Sequence, residues 1–135
     1  MKKLKLLLPA MAIAAIAFTS CDDTDDTTAL QKLQNKWSVD SLVFKTTTSG
    51  TTTTVKYTGT ADDYYDFRTD NNLYYDVHST PRVTDTVPYS LIGSTTLVTD
   101  GDTSSIAVLN SSRLSTYTRS GTTTDYLEVY GYFRR

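Results

Sequence analysis

Turn signals recur along the chain at intervals that leave room only for short β-strands. Ser49-Gly50 and Asp100-Gly101 separate segments rich in Thr, Tyr, Val and Leu, and a pair containing glycine between two such segments is a hairpin signal. Tight turns join antiparallel neighbours, because parallel neighbours need a crossover of about a dozen residues or more. The spacing therefore predicts an all-β fold built as an antiparallel meander.

The meander contains nine strand candidates, or eight if the segments on either side of Gly93 form one bent strand. Their predicted ranges are 36–47, 51–57, 63–68, 73–78, 86–92, 95–99, 105–109, 113–119 and 124–134. Closure into an up-and-down barrel removes the exposed sheet edges. A two-sheet sandwich is the alternative, but it needs longer Greek-key connections, and only residues 78–85 provide that length. We therefore expect a small barrel.

A short helix is predicted before the first strand. Thr27 or Thr28 caps a helical turn over residues 29–34, in which Leu30 and Leu33 share one face. The helix therefore abuts or plugs the barrel.

The first strand alternates regularly at its start and loses its phase later. Trp37 and Val39 point to one side of the strand, whereas Val43 and Phe44 are adjacent apolar residues. This change of phase predicts either a β-bulge at residues 43–44 or a strand that is buried on both faces near its end.

The first 20 residues have the layout of a secretory signal. Lys2, Lys3 and Lys5 precede an apolar run over residues 6–18, and Cys21 follows shortly after it. The run has 13 residues, whereas a membrane-spanning helix needs about 20. We therefore expect an exported protein whose leader is removed.

Phe18-Thr19-Ser20-Cys21 resembles a bacterial lipobox, although Phe18 stands where that motif usually has Leu and Ser20 where it usually has Ala or Gly. The resemblance implies that Cys21 becomes the first mature residue and carries diacylglycerol and an amide-linked acyl chain. The alternative is an ordinary signal peptide and a free cysteine. Residues 21–28 are polar and acidic and are predicted to form a disordered tether. We expect lipid anchoring in the bacterial outer membrane, facing the periplasm or the cell surface.

The net charge argues against a nucleic-acid partner, and the cysteine content excludes an internal disulfide. Removal of residues 1–20 takes away Lys2, Lys3 and Lys5, which leaves 115 residues with 10 basic and 15 acidic side chains, a formal charge of −5. Nucleic-acid binding needs clustered Lys and Arg, so we expect no nucleic-acid partner. Cys21 is the only cysteine, so the domain has no internal disulfide and depends on its core.

Leu33-Gln34-Asn35-Lys36-Trp37 and the segment 63–68, together with the meander, resemble the lipocalin-like domains of bacterial lipoproteins over most of residues 30–135. The resemblance implies a calycin-type barrel over residues 29–135, with Trp37 closing its floor. The family motif is commonly Gly-x-Trp with an arginine packed across the Trp. Asn35 stands in the glycine position here, and Arg134 is the candidate arginine.

The sequence lacks the parts of familiar catalytic sites. His78 is the only histidine, and neither a Gly-x-Ser-x-Gly nor a phosphate-loop pattern is present. Asp62, Asp63, Asp66 and Asp70 are the densest carboxylates, but alternation places Asp66 opposite the apolar face as a solvated group. We expect a protein that is not an enzyme and has no cofactor and no metal site.

The aromatic residues carry the functional hypotheses. Alternation predicts an inward face comprising Trp37, Val39, Tyr65, Phe67, Leu73, Tyr75, Val77, Val87, Tyr89, Leu91, Ile106, Val108, Leu114, Leu127, Val129 and Phe133. The first hypothesis is a cavity for a small apolar or amphipathic ligand, bound by Trp37, Tyr65, Phe67, Tyr75 and Tyr89. The alternative is that these side chains fill a narrow barrel completely.

The residues that alternate with this inward face point outward and supply a second hypothesis about function. Tyr117, Tyr126, Tyr130 and Tyr132 are predicted to lie on the outer face of the last two strands, and barrel closure would place Leu42 or Phe44 beside them. Exposed apolar surface of this kind marks protein interaction sites, which would make the protein a surface interaction module. Ordinary cross-strand aromatic pairing explains the same pattern.

Overall fold

The computed structural model describes residues 26–135, so the predicted signal peptide, Cys21 and most of the predicted tether lie outside it. One helix, α1 (Asp26–Leu33), comes first and takes in residues 26–28 of the predicted tether. The strands follow as β1 (Lys36–Thr48), β2 (Thr51–Thr58), β3 (Tyr64–Phe67), β4 (Asn72–Val77), β5 (Val83–Ile92), β6 (Thr96–Thr99), β7 (Asp102–Leu109), β8 (Arg113–Gly121) and β9 (Tyr126–Arg134). Within this range, no helix has the length and apolar character needed to cross a membrane.

The strands form a closed antiparallel barrel with one additional strand. Eight strands make the ring in the order β1, β3, β4, β5, β6, β7, β8 and β9, and β9 pairs back onto β1. The ninth strand, β2, pairs with β1 outside this ring. The predicted all-β meander, the barrel and the short helix before it are confirmed, and the segments on either side of Gly93 are separate strands.

The edge of β1 is divided between two partners. Its first residues, 36–38, pair with β3, and residues 41–48 pair with β2. The chain between β2 and β3 runs so close to β1 that a Cβ on Gly59 would lie 1.9 Å from the carbonyl oxygen of Val39. Only glycine fits such an approach. Within the ring, β1, β8 and β9 have 9 to 13 residues, whereas β3, β4 and β6 have four to six.

Two bulges reverse the phase of their strands. The register shifts between Val39 and Ser41 in β1 and between Ile106 and Val108 in β7. An extra residue turns every later side chain to the other face. The predicted bulge at residues 43–44 is therefore wrong in position, and the inward placement of Val108 is also wrong, since Val108 is 42% exposed.

The floor of the barrel is formed by Trp37 and α1. Trp37 has no exposed surface, and its indole Nε1 donates a 3.0 Å hydrogen bond to the carbonyl of Leu33 at the end of the helix. The helix also packs against β5 and β7. The buried core is Leu33, Trp37, Val39, Leu42, Phe67, Leu73, Val77, Tyr89, Leu97, Ile106, Leu114 and Phe133.

Arg135, and not the predicted Arg134, lies across the floor tryptophan. The Arg135 guanidinium is 5.0 Å from the Trp37 ring centroid, and its Nε donates to the carbonyl of Ser111 at 2.9 Å. Arg134 instead lies 3.8 Å from an Asp40 carboxylate oxygen on the outer surface.

This arrangement predicts unequal effects for two neighbouring arginines. Arg135→Ala is expected to lower the free energy of unfolding by about 1 kcal/mol, because it removes a cation–π contact and the cover over the floor. Arg134→Ala removes only a surface ion pair and should cost less than about 0.5 kcal/mol. Urea denaturation of both variants measures the difference, and equal losses would contradict the assignment of Arg135.

Candidate binding site in the barrel interior

A cavity of about 170 Å³ lies inside the barrel above the floor. We call it the inner chamber. Its lining is mainly aromatic and aliphatic, with several hydroxyl groups on one side. The lining residues are Leu42, Tyr65, Phe67, Leu73, Leu97, Thr99, Ser104, Thr116, Thr118, Val129, Gly131 and Phe133.

Gly131 creates part of this space. A Cβ at Gly131 would lie 2.6 Å from the ring of Phe133 and 2.7 Å from the hydroxyl of Thr116. The absent side chain lets the Phe133 ring turn across β9, where its centroid is 4.9 Å from that of Tyr65. The chamber wall therefore depends on glycine at this position.

A second space of about 280 Å³ adjoins the inner chamber. We call it the mouth; Tyr65, Leu73 and Thr99 line both spaces. Tyr75, Asp85, Val87, Asp100 and Asp102 complete the mouth lining. Because the strands alternate in direction, the turn between β6 and β7 that carries Asp100 lies at the end of the barrel opposite α1.

Two neutral tyrosines stand where the chamber meets the mouth. Their ring centroids are 5.2 Å apart. Burial, followed by the neighbouring Tyr75, raises the pKa of Tyr65 to about 12. Burial also raises the pKa of Tyr75, and the negative charges of Asp85 and Asp100 add to the shift. Both phenols therefore keep their protons near neutral pH and serve as hydrogen-bonding groups.

Three of the five predicted ligand residues line the cavity and two do not. Tyr65 and Phe67 line the inner chamber, and Tyr65 and Tyr75 line the mouth. Trp37 belongs to the floor below. Tyr89 is 4% exposed, donates its hydroxyl proton to the carbonyl of Arg68 at 2.7 Å and meets Phe67 edge-on at 5.1 Å. Trp37 and Tyr89 support the wall and do not line the cavity.

Sequence reasoning overlooked the polar part of the lining. Thr99, Ser104, Thr116 and Thr118 all face the inner chamber, and the hydroxyls of Ser104 and Thr118 lie 2.6 Å apart. The available signal was strand parity, because these residues share the phase of their inward apolar neighbours. Short hydroxyl side chains leave space where larger apolar residues would fill the barrel.

Asp63 is one of the four clustered carboxylates, and the sequence pattern did not predict where its side chain lies. It has no exposed surface. Its Oδ2 accepts hydrogen bonds from the Tyr57 hydroxyl at 2.5 Å and the Thr60 N–H at 2.6 Å. Its Oδ1 accepts the backbone N–H of His78 at 2.7 Å and that residue's ring Nδ1 at 3.0 Å. Asp63 therefore connects the end of β2 and the following loop to the residue after β4.

The remaining carboxylates of that region face outward. Asp66 pairs with Arg68 at 2.7 Å on the outer surface. Asp70 accepts the Asn72 N–H and the Tyr74 hydroxyl, both at 2.9 Å. Among residues 26–135, no group of three or more His, Cys, Asp or Glu side chains is placed to hold a metal ion.

The outward tyrosines lie on adjoining positions of β8 and β9. Tyr117 and Tyr130 are direct cross-strand partners with ring centroids 5.0 Å apart. The Tyr117 hydroxyl donates to Glu128 at 2.8 Å, and the Arg119 guanidinium lies 3.9 Å from the Tyr126 ring centroid. Tyr132 is 43% exposed, and the other three are half-buried.

Leu42 and Phe44 do not join this outer face, so that prediction is wrong. The bulge in β1 turns Leu42 into the barrel, and Val43 stands opposite Tyr130 on the outside. The Lys45 ammonium lies 4.9 Å from the ring centroid of Tyr130. The tyrosines therefore meet charged neighbours rather than a continuous apolar patch.

Comparisons with known proteins identify the fold. No family model and no curated protein sequence matches the chain. Among solved structures, bovine odorant binding protein in complex with a selenium-containing odorant is similar, with a TM-score of 0.50, 15% identity, and coverage of 78% of this chain and 71% of that chain. A deswapped triple mutant of bovine odorant binding protein gives 0.49 and 14%, covering 77% and 74%. The likeness to the odorant complex shows that the barrel is lipocalin-like in fold.

Proposed function

We propose that this protein is a lipid-anchored, non-catalytic protein of the bacterial cell envelope that binds a small apolar or amphipathic ligand inside its barrel. The observation that carries the proposal is the inner chamber, a space of about 170 Å³ walled by aromatic and aliphatic side chains and adjoining the mouth. Ligand sites are typically apolar pockets with a few placed polar groups. The lipocalin-like fold supports the proposal, and the similar bovine structure is itself a complex with an odorant.

The size of the inner chamber limits the ligand. An engineered apolar cavity of about 150 Å³ in another protein holds one benzene molecule. The inner chamber is of similar volume, so it accommodates one ring or a short alkyl chain, and the mouth accommodates a polar group attached to it. The ligand is therefore a small molecule and not a long-chain lipid enclosed along its whole length.

Anchoring is supported by the leader sequence. Cys21 follows the apolar run directly after Phe18-Thr19-Ser20, and helix α1 begins at Asp26 at the closed end of the barrel. Residues 21–25 reach at most about 17 Å when fully extended. An acylated Cys21 would hold the closed end near the bilayer and leave the mouth pointing away from it.

The outer tyrosine face is the weaker candidate for the main activity. Tyr117, Tyr126 and Tyr130 pack against each other or against charged side chains of the same sheet. Cross-strand pairs of this kind stabilise a sheet without any partner. The interior cavity therefore has the stronger claim as the binding site.

Filling the space where the inner chamber adjoins the mouth tests the proposal. Thr99 lines both spaces, so Thr99→Phe is expected to weaken binding of 2-phenylethanol by about tenfold or more, because the added ring occupies the ligand volume. Calorimetric titration of the purified full-length protein measures the change.

Val98→Phe is the matched control. Val98 precedes Thr99 in the same strand and therefore points to the outer face, so the same ring there should leave binding unchanged. Ser104→Leu fills the inner chamber from β7 and should repeat the effect of Thr99→Phe. Circular dichroism checks that each variant is folded. Equal binding by folded Thr99→Phe and Val98→Phe would refute the interior site.

A further inference from the structure

The mouth carries an unbalanced negative charge. Asp85, Asp100 and Asp102 all line it, together with Tyr65 and Tyr75. No Lys, Arg or His among the described residues lines the mouth or the inner chamber. Three exposed carboxylates on one opening give it a negative potential, and nearby low-dielectric walls strengthen that potential.

The ion pairs of the described region lie away from the mouth. The ion pairs there join Arg68 to Asp66, Arg82 to Asp76 and Arg134 to Asp40, and His78 lies beside Asp63 and Asp76. None of these pairs includes a mouth carboxylate. Asp85 accepts one hydrogen bond, the N–H of the adjacent Thr86, at 2.7 Å. The charge of the mouth is therefore available to a cation from solution.

The Tyr65 hydroxyl is an independent indication of a ligand. It makes no hydrogen bond to any described residue, although the side chain is deeply buried and its pKa is raised to about 12 by that burial. Every fully enclosed side-chain nitrogen or oxygen in the described region has a partner, so this hydroxyl is not fully enclosed, and the side chain that carries it lines both the inner chamber and the mouth. The hydroxyl is therefore available to hydrogen-bond to a ligand in that space.

The adjoining rings suit the same kind of ligand group. Tyr65 and Tyr75 face each other at 5.2 Å beside the three carboxylates. Phenol rings attract ammonium groups through their negative faces, and the free hydroxyl of Tyr65 accepts an N–H. Below them, the inner chamber offers apolar volume for one ring or a short chain.

We propose that the ligand of this barrel is a small amphipathic cation, with an ammonium group held in the mouth by Asp85, Asp100 and Asp102 and an apolar body in the inner chamber. This inference rests on the proposed interior binding function and adds the charge of the ligand to it. A primary amine attached to one aromatic ring or short alkyl chain has the matching size and polarity.

Three probes of nearly equal size test the proposal: 2-phenylethylamine, 2-phenylethanol and phenylacetate, titrated calorimetrically into the purified full-length protein. The amine is expected to bind about tenfold more tightly than the alcohol, since it adds a charge interaction to the same apolar contact. The carboxylate should bind more weakly than the alcohol. Added salt should reduce the preference for the amine.

Asp85→Asn/Asp100→Asn should weaken binding of the amine by about tenfold and weaken binding of the uncharged alcohol far less. Asparagine keeps the shape of both sites, and at position 100, where φ is 49°, it is one of the residues that tolerate a left-handed backbone. Asp40→Asn/Asp62→Asn changes the net charge equally, at positions that line surface grooves outside the barrel interior, and should alter neither affinity.

The outcomes separate the two proposals. Equal affinity for amine and alcohol, or an equal loss of amine affinity in both double variants, would overturn the cation proposal while leaving interior binding intact. Failure of all three probes to bind would overturn both proposals.

Discussion

Asp63→Asn is expected to lower the free energy of unfolding by about 3 kcal/mol, because it disrupts a fully buried carboxylate that accepts four hydrogen bonds. Each oxygen receives one backbone N–H, from Thr60 or His78. An asparagine must point its NH₂ group at one of these N–H donors whichever way the amide is turned. One backbone donor is therefore left facing another donor in the protein interior.

The same site predicts sensitivity to acid. Burial alone would raise the pKa of Asp63, but the hydrogen bonds from Thr60, Tyr57 and His78 outweigh it and hold the pKa well below its ordinary value of 3.8. A lowered folded-state pKa stabilises the protein above the unfolded-state pKa, and this stabilisation is lost as the pH falls below about 4. The gap in stability between wild type and Asp63→Asn should therefore be full at pH 7 and shrink towards pH 2.

Urea denaturation at several pH values measures both effects. Asp62→Asn is the matched control, since Asp62 is the exposed neighbour of Asp63 and its substitution should change stability by less than about 0.5 kcal/mol. Tyr57→Phe removes one donor and keeps the charge, so its loss should be smaller than that of Asp63→Asn. A loss in Asp62→Asn as large as in Asp63→Asn would show that the buried cluster does not hold the β2–β4 region together.

The strands and turns were predictable because their signals are local. Ser49 and Gly50 have φ values of 49° and 80°, and Asp100 and Gly101 have φ values of 49° and 87°. Paired positive φ angles belong to the tight hairpin turns that such sequences favour. Alternation then placed Tyr65 and Tyr75 on the inner face. Nothing beyond neighbouring residues was needed for either result.

The bulges and the displaced strand depend on contacts that sequence alone does not reveal. The shift in β1 lies between Val39 and Ser41, where the apolar pattern is still regular. The departure of β2 from the ring accompanies a close approach of Gly59 to Val39, two residues that are distant in sequence. One inserted residue is enough to invert the outward placement of Phe44.

Part of the candidate site was missed because strand parity was applied only to apolar residues. Asp63 shares its phase with Tyr65, and Asp85 shares its phase with Val87, which also lines the mouth. Arg135 shares its phase with the buried Phe133 and reaches the floor, whereas Arg134 points outward. Polar side chains that point into the barrel need hydrogen-bonding partners, and the three-dimensional structure is needed to identify them.

The predicted lipidation site, Cys21, lies outside residues 26–135. Its substitution has the largest expected effect on where the protein is located. Cys21→Ala should abolish acylation and release the protein from membranes, because the substitution removes the atom to which the lipid is attached. Each buried methylene of an acyl chain contributes about 0.8 kcal/mol, and more than one chain makes attachment stable. The acidic residues at 22, 23 and 25 are repelled by anionic headgroups and offer no substitute anchor.

Two measurements on the full-length protein check this prediction: incorporation of labelled palmitate, and sedimentation with membranes after washing with high salt and alkaline carbonate. Ser20→Ala is the matched control, because it places the residue usual in a lipobox next to Cys21 and should preserve both labelling and sedimentation. A Cys21→Ala protein that still sediments with an uncleaved leader is distinguished by its larger mass. If the variant sediments at its mature mass and without label, another part of the chain holds it at the membrane, and the proposed orientation, closed end to the bilayer and mouth outward, loses its basis.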